Sequence, residues 1–125
     1  MTWTRPAYTG ILWLVVLVAT LLFFLAGLGL SELGGESIEP HQALGSMLLI
    51  PVILLVLIAA IGKLGKSFVV PALALLVVLL LQSVWIYATD EGFVKAIHPL
   101  GGLIFFSIAI ETAHRLTRER KAAAA

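Results

Sequence analysis

The chain contains no cysteine among its 125 residues. Disulfides, thiolate-bound metals, iron–sulfur clusters and thioether attachment of a haem are thereby excluded. Charge is scarce as well: Asp, Glu, Lys and Arg make up 12% of the chain, where a typical soluble domain has about 25%. The basic stretch near the C-terminus is short and reads as a topology signal or a contact for anionic lipid, so nucleic acid is not an expected partner. Residues 8–30 hold no carboxylate, and a proton-coupled exporter built from four short spans needs one buried there. What the chain has in excess is apolar surface. Hydrophobic residues make up 61% of it, gathered in four runs each about the length of a bilayer span, which excludes a soluble enzyme.

These runs predict an all-α protein of four helices, at about 8–30, 40–62, 68–89 and 93–117, forming a single transmembrane domain over residues 1–125. The first is uncharged, and at ~1.5 Å per residue it spans about 34 Å. A signal peptide has an apolar core of only about 7–15 residues, so this run reads as a retained helix. Residues 31–40, with Gly34, Gly35 and Pro40, read as a loop leading into the second helix, where Pro40 suits the first turn. Pro51 lies inside the second run and predicts a kink. Residues 62–67 form a tight basic turn, Pro71 is expected in the first turn of the third helix, and Thr89 to Gly92 close it. The fourth run continues into a polar helical end, where Glu111, Arg115 and Glu119 are spaced for ion pairs along one face.

Orientation follows from the basic residues. Arg5, Lys63, Lys66, Arg115, Arg118, Arg120 and Lys121 fall on one side of a four-span arrangement, leaving only Lys95 of the eight on the other. The positive-inside rule then puts both termini in the cytoplasm of a bacterial inner membrane. The two outward loops hold five of the seven acidic residues. Trp3 and Tyr8 at one end, with Trp85 and Tyr87 at the other, suit interfacial belts. Short connections make successive helices antiparallel neighbours, so the expected architecture is an up-down-up-down four-helix bundle.

Ionisable residues inside such spans are costly and point to function. His41 opens the second helix and His98 lies near the start of the fourth, 57 residues on. These two helices run the same way, which places both histidines toward the outer side. Each begins the pattern His-x-x-x-Gly, ending at Gly45 and Gly102, with Gly101 alongside. Residues four apart share a helix face, so each imidazole stands beside bare backbone, as a flat macrocycle needs if it is to lie close to a helix. Two such helices can clamp one haem, with His41 and His98 as axial ligands and Gly45, Gly101 and Gly102 making room for the ring. Gln82, in the third helix at a similar depth, suits a hydrogen-bond partner for a metal-bound histidine. The same glycines also suit close helix packing. His41 also suits a helix start, Gln82 an interhelical bond, and His114 a solvated basic surface.

The layout resembles one half of the haem A synthase module, whose halves are four-helix bundles with a histidine opening the second and fourth helices. His41 and His98 stand at those positions, with Leu81-Gln82 in the third helix. It also resembles a group of small four-span bacterial proteins. They share Ala26-Gly27-Leu28-Gly29 at the end of the first helix and an Ile97-His98-Pro99-Leu100 opening to the fourth. Glu39, two residues before His41, is a loose match for the glutamate of the synthase half that performs chemistry, and the second half is missing. The resemblance therefore implies binding of haem b rather than its modification. The expectation is a haem-binding membrane protein, working in electron transfer or haem handling rather than as a catalyst. The partners expected are membrane lipid and a respiratory complex or further copies of the chain. Another metallated tetrapyrrole such as chlorophyll obeys the same histidine–glycine logic. The alternative is a cofactor-free accessory subunit of a larger membrane complex.

Overall fold

The computed structural model describes residues 3–30, 39–87 and 92–125. The loop expected after the first helix lies outside the described residues up to 38, as does the 88–91 connection. Among the described residues every regular element is an α-helix: α1 (Thr4–Leu30), α2 (Glu39–Met47), α3 (Leu49–Ile61), α4 (Lys66–Tyr87) and α5 (Gly92–Ala124). Four stretches are long and apolar enough to cross a membrane: Thr4–Gly29, Glu39–Ile61, Lys66–Ile86 and Ala96–Ala124. In runs this apolar, each peptide group finds its partner within its own helix. α1 starts at Thr4, ahead of the apolar run, and α5 continues through its polar end to Ala124, past the expected end near 117.

The second stretch is two helices, and a proline accounts for the break. Pro51 has no N–H to give the carbonyl of Met47, four residues earlier, and its ring crowds that carbonyl. α2 ends at Met47, Leu48 makes a turn, and α3 starts at Leu49. The Leu48 N–H is shared between Leu44 O at 3.1 Å and Gly45 O at 3.3 Å, and the Val52 N–H reaches Leu48 O at only 3.4 Å.

α1 packs on α3 and α5, and α4 packs on the same two, which closes a ring of four. Past the break the ring opens: among the described residues the backbone of α2 packs on α1 and α3, and it meets α5 through a side chain, His41 against His98. The core follows helical spacing: Tyr8, Leu12, Val15 and Ala19 from α1; Val52, Leu55 and Ala59 from α3; Phe68, Ala72 and Leu75 from α4; Phe105, Ala109, Ala113 and Leu116 from α5. Facing outward, Leu17, Phe24, Ile50, Val77, Phe93 and Leu103 are exposed, so the outer surface is apolar on every side.

One end of the ring is knitted shut. Tyr8 donates its hydroxyl to Phe68 O at 2.8 Å and meets the Phe68 ring edge-on at 5.1 Å. The Arg5 guanidinium stands 5.6 Å from that ring's centroid on α4, a cation–π contact. Thr4 sits against Gly62, where a Cβ would come within 2.9 Å of the Thr4 Cβ. The turn that follows uses Lys63 at φ 49° and Gly65 at φ 90°, and the second of these suits glycine because it has no Cβ to clash. Pro71 falls beyond the first turn of α4, a correction to the sequence expectation, because α4 begins at Lys66. Its missing N–H strands the carbonyl of Ser67, and Arg115 of α5 donates Nη2 to that oxygen at 2.8 Å. The other arm of Arg115 meets Glu119 at 3.2 Å, so of the two acidic residues spaced to pair with it the arginine turns to Glu119.

Candidate functional site

At the opposite end the buried core stops. α2 has no buried residue, and beyond Leu75 the buried residue on α4 is the polar Gln82. A cavity of about 350 Å³ lies there between α1, α2, α4 and α5, within the size range of small-molecule sites. Its walls are mostly apolar, with Leu22, Phe23, Leu79, Ile86 and Phe105 among them, and His41 and His98 both line it. Exposed Gln42, Ser46 and Ser83 line it too, so the cavity opens at the surface.

The break at Leu48 sets this geometry. α2 leans on α1, and its His41 hydrogen-bonds across to that helix: Nδ1 stands 2.9 Å from Leu22 O. A carbonyl can only accept, so Nδ1 carries a proton and the bond leaves Nε2 as the nitrogen not engaged with α1. His98 comes from α5, and its ring centroid lies 6.0 Å from that of His41, with the planes at 73°. Its Nδ1 is sealed from solvent and has no hydrogen-bond partner among the described residues.

Gln82 is beside His98 but bonds its backbone rather than its ring, Nε2 donating to His98 O at 2.9 Å. That bond fixes the amide's orientation, since the reverse would set two oxygens face to face. Oε1 is left buried without a partner. The glycines divide. Gly45 and Gly102 line the cavity, and a Cβ on either would find only ordinary contacts, the nearest at 3.8 Å and 3.5 Å. Gly101 instead faces Gln82 and Trp85, and a Cβ there would collide with Gln82 Oε1. Its bare backbone seats the glutamine; it does not line the cavity. His114 is exposed on α5 and stacks edge-on against Trp13 at 5.1 Å, remote from the cavity walls.

The Leu22 carbonyl and the aromatic wall of Phe23, which meets Phe106 at 5.9 Å, were not singled out by sequence reasoning. A backbone carbonyl leaves no mark in a residue pattern. Pro51 predicted a kink within one helix over 40–62; the structure goes further and divides that run into two helices at Leu48.

Residues 23–89, more than half of the chain, match DUF6220, a family of unknown function. The chain belongs to that family. No curated protein and no solved structure matches it. The DUF6220 stretch runs from Phe23 through α2, α3 and α4, so it carries His41, Gly45 and Gln82, while His98, Gly101 and Gly102 lie beyond it.

Proposed function

We propose that this DUF6220 chain is a four-span protein of a bacterial inner membrane, both termini cytoplasmic, that holds one b-type haem between His41 and His98. The observation that carries the reading is the pair of imidazoles from two helices, 6.0 Å apart in one cavity. An imidazole nitrogen sits about 2 Å from a metal ion that it binds, so two rings on opposite sides of one ion have centroids roughly 6 Å apart. Among the described residues no group of three or more His, Cys, Asp or Glu side chains gathers to hold an ion. Two donors suit a metal that brings four nitrogens of its own macrocycle; a naked ion asks for more. Gly45 and Gly102 leave the cavity walls bare where such a macrocycle needs to come close.

Haem, when bound, supplies one-electron chemistry. The chain's own residues would orient and shield it. The Leu22 carbonyl holds the His41 ring and makes its Nε2 more basic. Gln82 pins the α5 backbone at His98, while Leu79, Ile86 and Phe105 give the site apolar walls. If His41 and His98 both held the metal, electron transfer or haem handling would fit better than catalysis there. Lipid contact is supported by the exposed apolar residues on every side. The cytoplasmic assignment rests on the basic residues gathered at the closed end.

The test is a dithionite-reduced minus oxidised absorption spectrum of the protein in mild detergent, with a pyridine extract to identify the macrocycle. Sharp reduced bands that vanish in the double variant His41→Ala/His98→Ala support the reading. A colourless protein that also refuses added haemin sinks it and favours the cofactor-free accessory subunit.

A further inference from the structure

We infer that the two histidines are unequal: His41 is the fixed ligand, His98 the exchangeable one, and the site admits a small neutral diatomic, of the class of carbon monoxide and nitric oxide, in place of His98. This inference rests on the haem reading and adds a second ligand to it. Three observations carry it.

The first is the support of each ring. A metal-bound histidine is held and made basic by the hydrogen bond of its other nitrogen. His41 has that bond, to a helix carbonyl at 2.9 Å. His98 lacks it: its Nδ1 is sealed and without a partner. The second is that the neighbour able to help is committed elsewhere. Gln82 gives its N–H to the His98 backbone oxygen, and its own Oε1 is turned over the bare backbone of Gly101. α5 is thus pinned at His98 while the ring itself is not. The weaker metal bond is therefore the one to His98, and it can open without moving the helix.

The third is the character of the space. The cavity walls include Leu79, Ile86 and Phe105, and among the described residues no lysine or arginine lines it. An anion entering there would lose hydration with no cation to compensate, whereas a neutral diatomic loses little. Ligand class follows from this: carbon monoxide on the reduced protein, and not azide on the oxidised protein.

The experiment uses the full chain, loaded with haemin in detergent. Carbon monoxide added to the dithionite-reduced protein is expected to shift the Soret band, and azide added to the oxidised protein to leave it unmoved. Haemin titration is expected to show at most about tenfold weaker binding for His98→Ala and a loss of about 100-fold or more for His41→Ala. The carbon monoxide arm uses the unaltered chain, so it does not depend on either variant folding. A protein that takes up haemin yet ignores carbon monoxide overturns this inference and leaves the haem reading standing. So does equal loss of haemin affinity in the two variants. A protein that takes up no haemin overturns both.

Discussion

The two ends of the bundle are built from the same residue types and come out differently. Each has a proline that removes a helical donor, and glycines at a helix contact. At the closed end, the carbonyl stranded by Pro71 is taken by Arg115, and the helix stays whole. At the histidine end Pro51 ends one helix and starts another, and the backbone of α2 packs on α1 and α3 rather than on α5. Gly62 lets Thr4 press against α3, whereas Gly45 and Gly102 face a cavity. A proline or glycine in an apolar helix thus has no fixed meaning. What decides is whether a neighbour supplies the missing donor or fills the missing volume. Stability is concentrated where the neighbours do so, and the candidate site lies where they do not.

If that contrast is right, removing the same side chain at the two ends has unequal cost. Leu55 is fully buried in the closed half, while Leu79 is half-buried on the cavity wall. Leu55→Ala opens a void in packed surroundings and is expected to cost about 2–5 kcal/mol. Leu79→Ala merely enlarges an existing space and should cost roughly half as much or less by the same cavity argument. Thermal unfolding in one detergent, followed by circular dichroism, ranks the two; equal losses would erase the distinction between the ends.

Pro51→Ala tests the cause of the opening. It restores an N–H for the Met47 carbonyl and removes an interior proline, which disfavours a helix by about 3 kcal/mol. The expected outcome is a continuous second helix, a higher melting temperature and weaker haemin uptake, because the lean of α2 that places His41 is lost. Higher stability with unchanged uptake would show that the break does not shape the site.

Glycine replacements carry the comparison to single atoms. Gly62→Ala brings a Cβ within 2.7 Å of Ile58 O and 2.9 Å of Thr4 Cβ, so it should destabilise by about 1–3 kcal/mol. Gly45→Ala and Gly102→Ala meet nothing closer than 3.5 Å and should stabilise by about 0.5–1 kcal/mol, as alanine does in a helix interior. Larger side chains, as in Gly45→Leu and Gly102→Leu, should keep the melting temperature while abolishing haemin uptake. Loss of the fold instead would mean that these positions are packed rather than open.

Much of this was legible in the sequence because it rests on spacing. Four apolar runs gave four apolar spans, the second divided into two helices, and two histidines 57 residues apart meet in one cavity because each opens the returning arm of a hairpin. What was not legible depends on which atom of a side chain finds which partner. Gln82 suited either the His98 ring or an interhelical bond, and it makes the interhelical bond, to the His98 backbone. Gly101 was expected to make room for a macrocycle and makes room for Gln82. A one-residue step around a helix turns a position by about 100°, so Gly101 and Gly102 face different neighbours although they are adjacent in the chain. Pro71 went astray for a related reason: α4 extends back to Lys66, ahead of the apolar run that marked its start.

The smallest effect expected is also the one that isolates the repair at the closed end. Arg115 makes two contacts, one to Glu119 and one to the Ser67 carbonyl. The Glu119 side chain is more than half exposed, so Glu119→Ala should change stability by less than about 0.5 kcal/mol. Arg115→Ala also strips the donor from a carbonyl that has lost its helical one, and should cost about 1 kcal/mol. The two causes separate in a double-mutant cycle with Pro71→Ala, which returns an N–H to Ser67 O. In that background Arg115→Ala should cost no more than Glu119→Ala does, because the carbonyl no longer depends on the guanidinium. An undiminished loss would mean that Arg115 acts through its charge or its packing, and the contrast between the two prolines would need another cause.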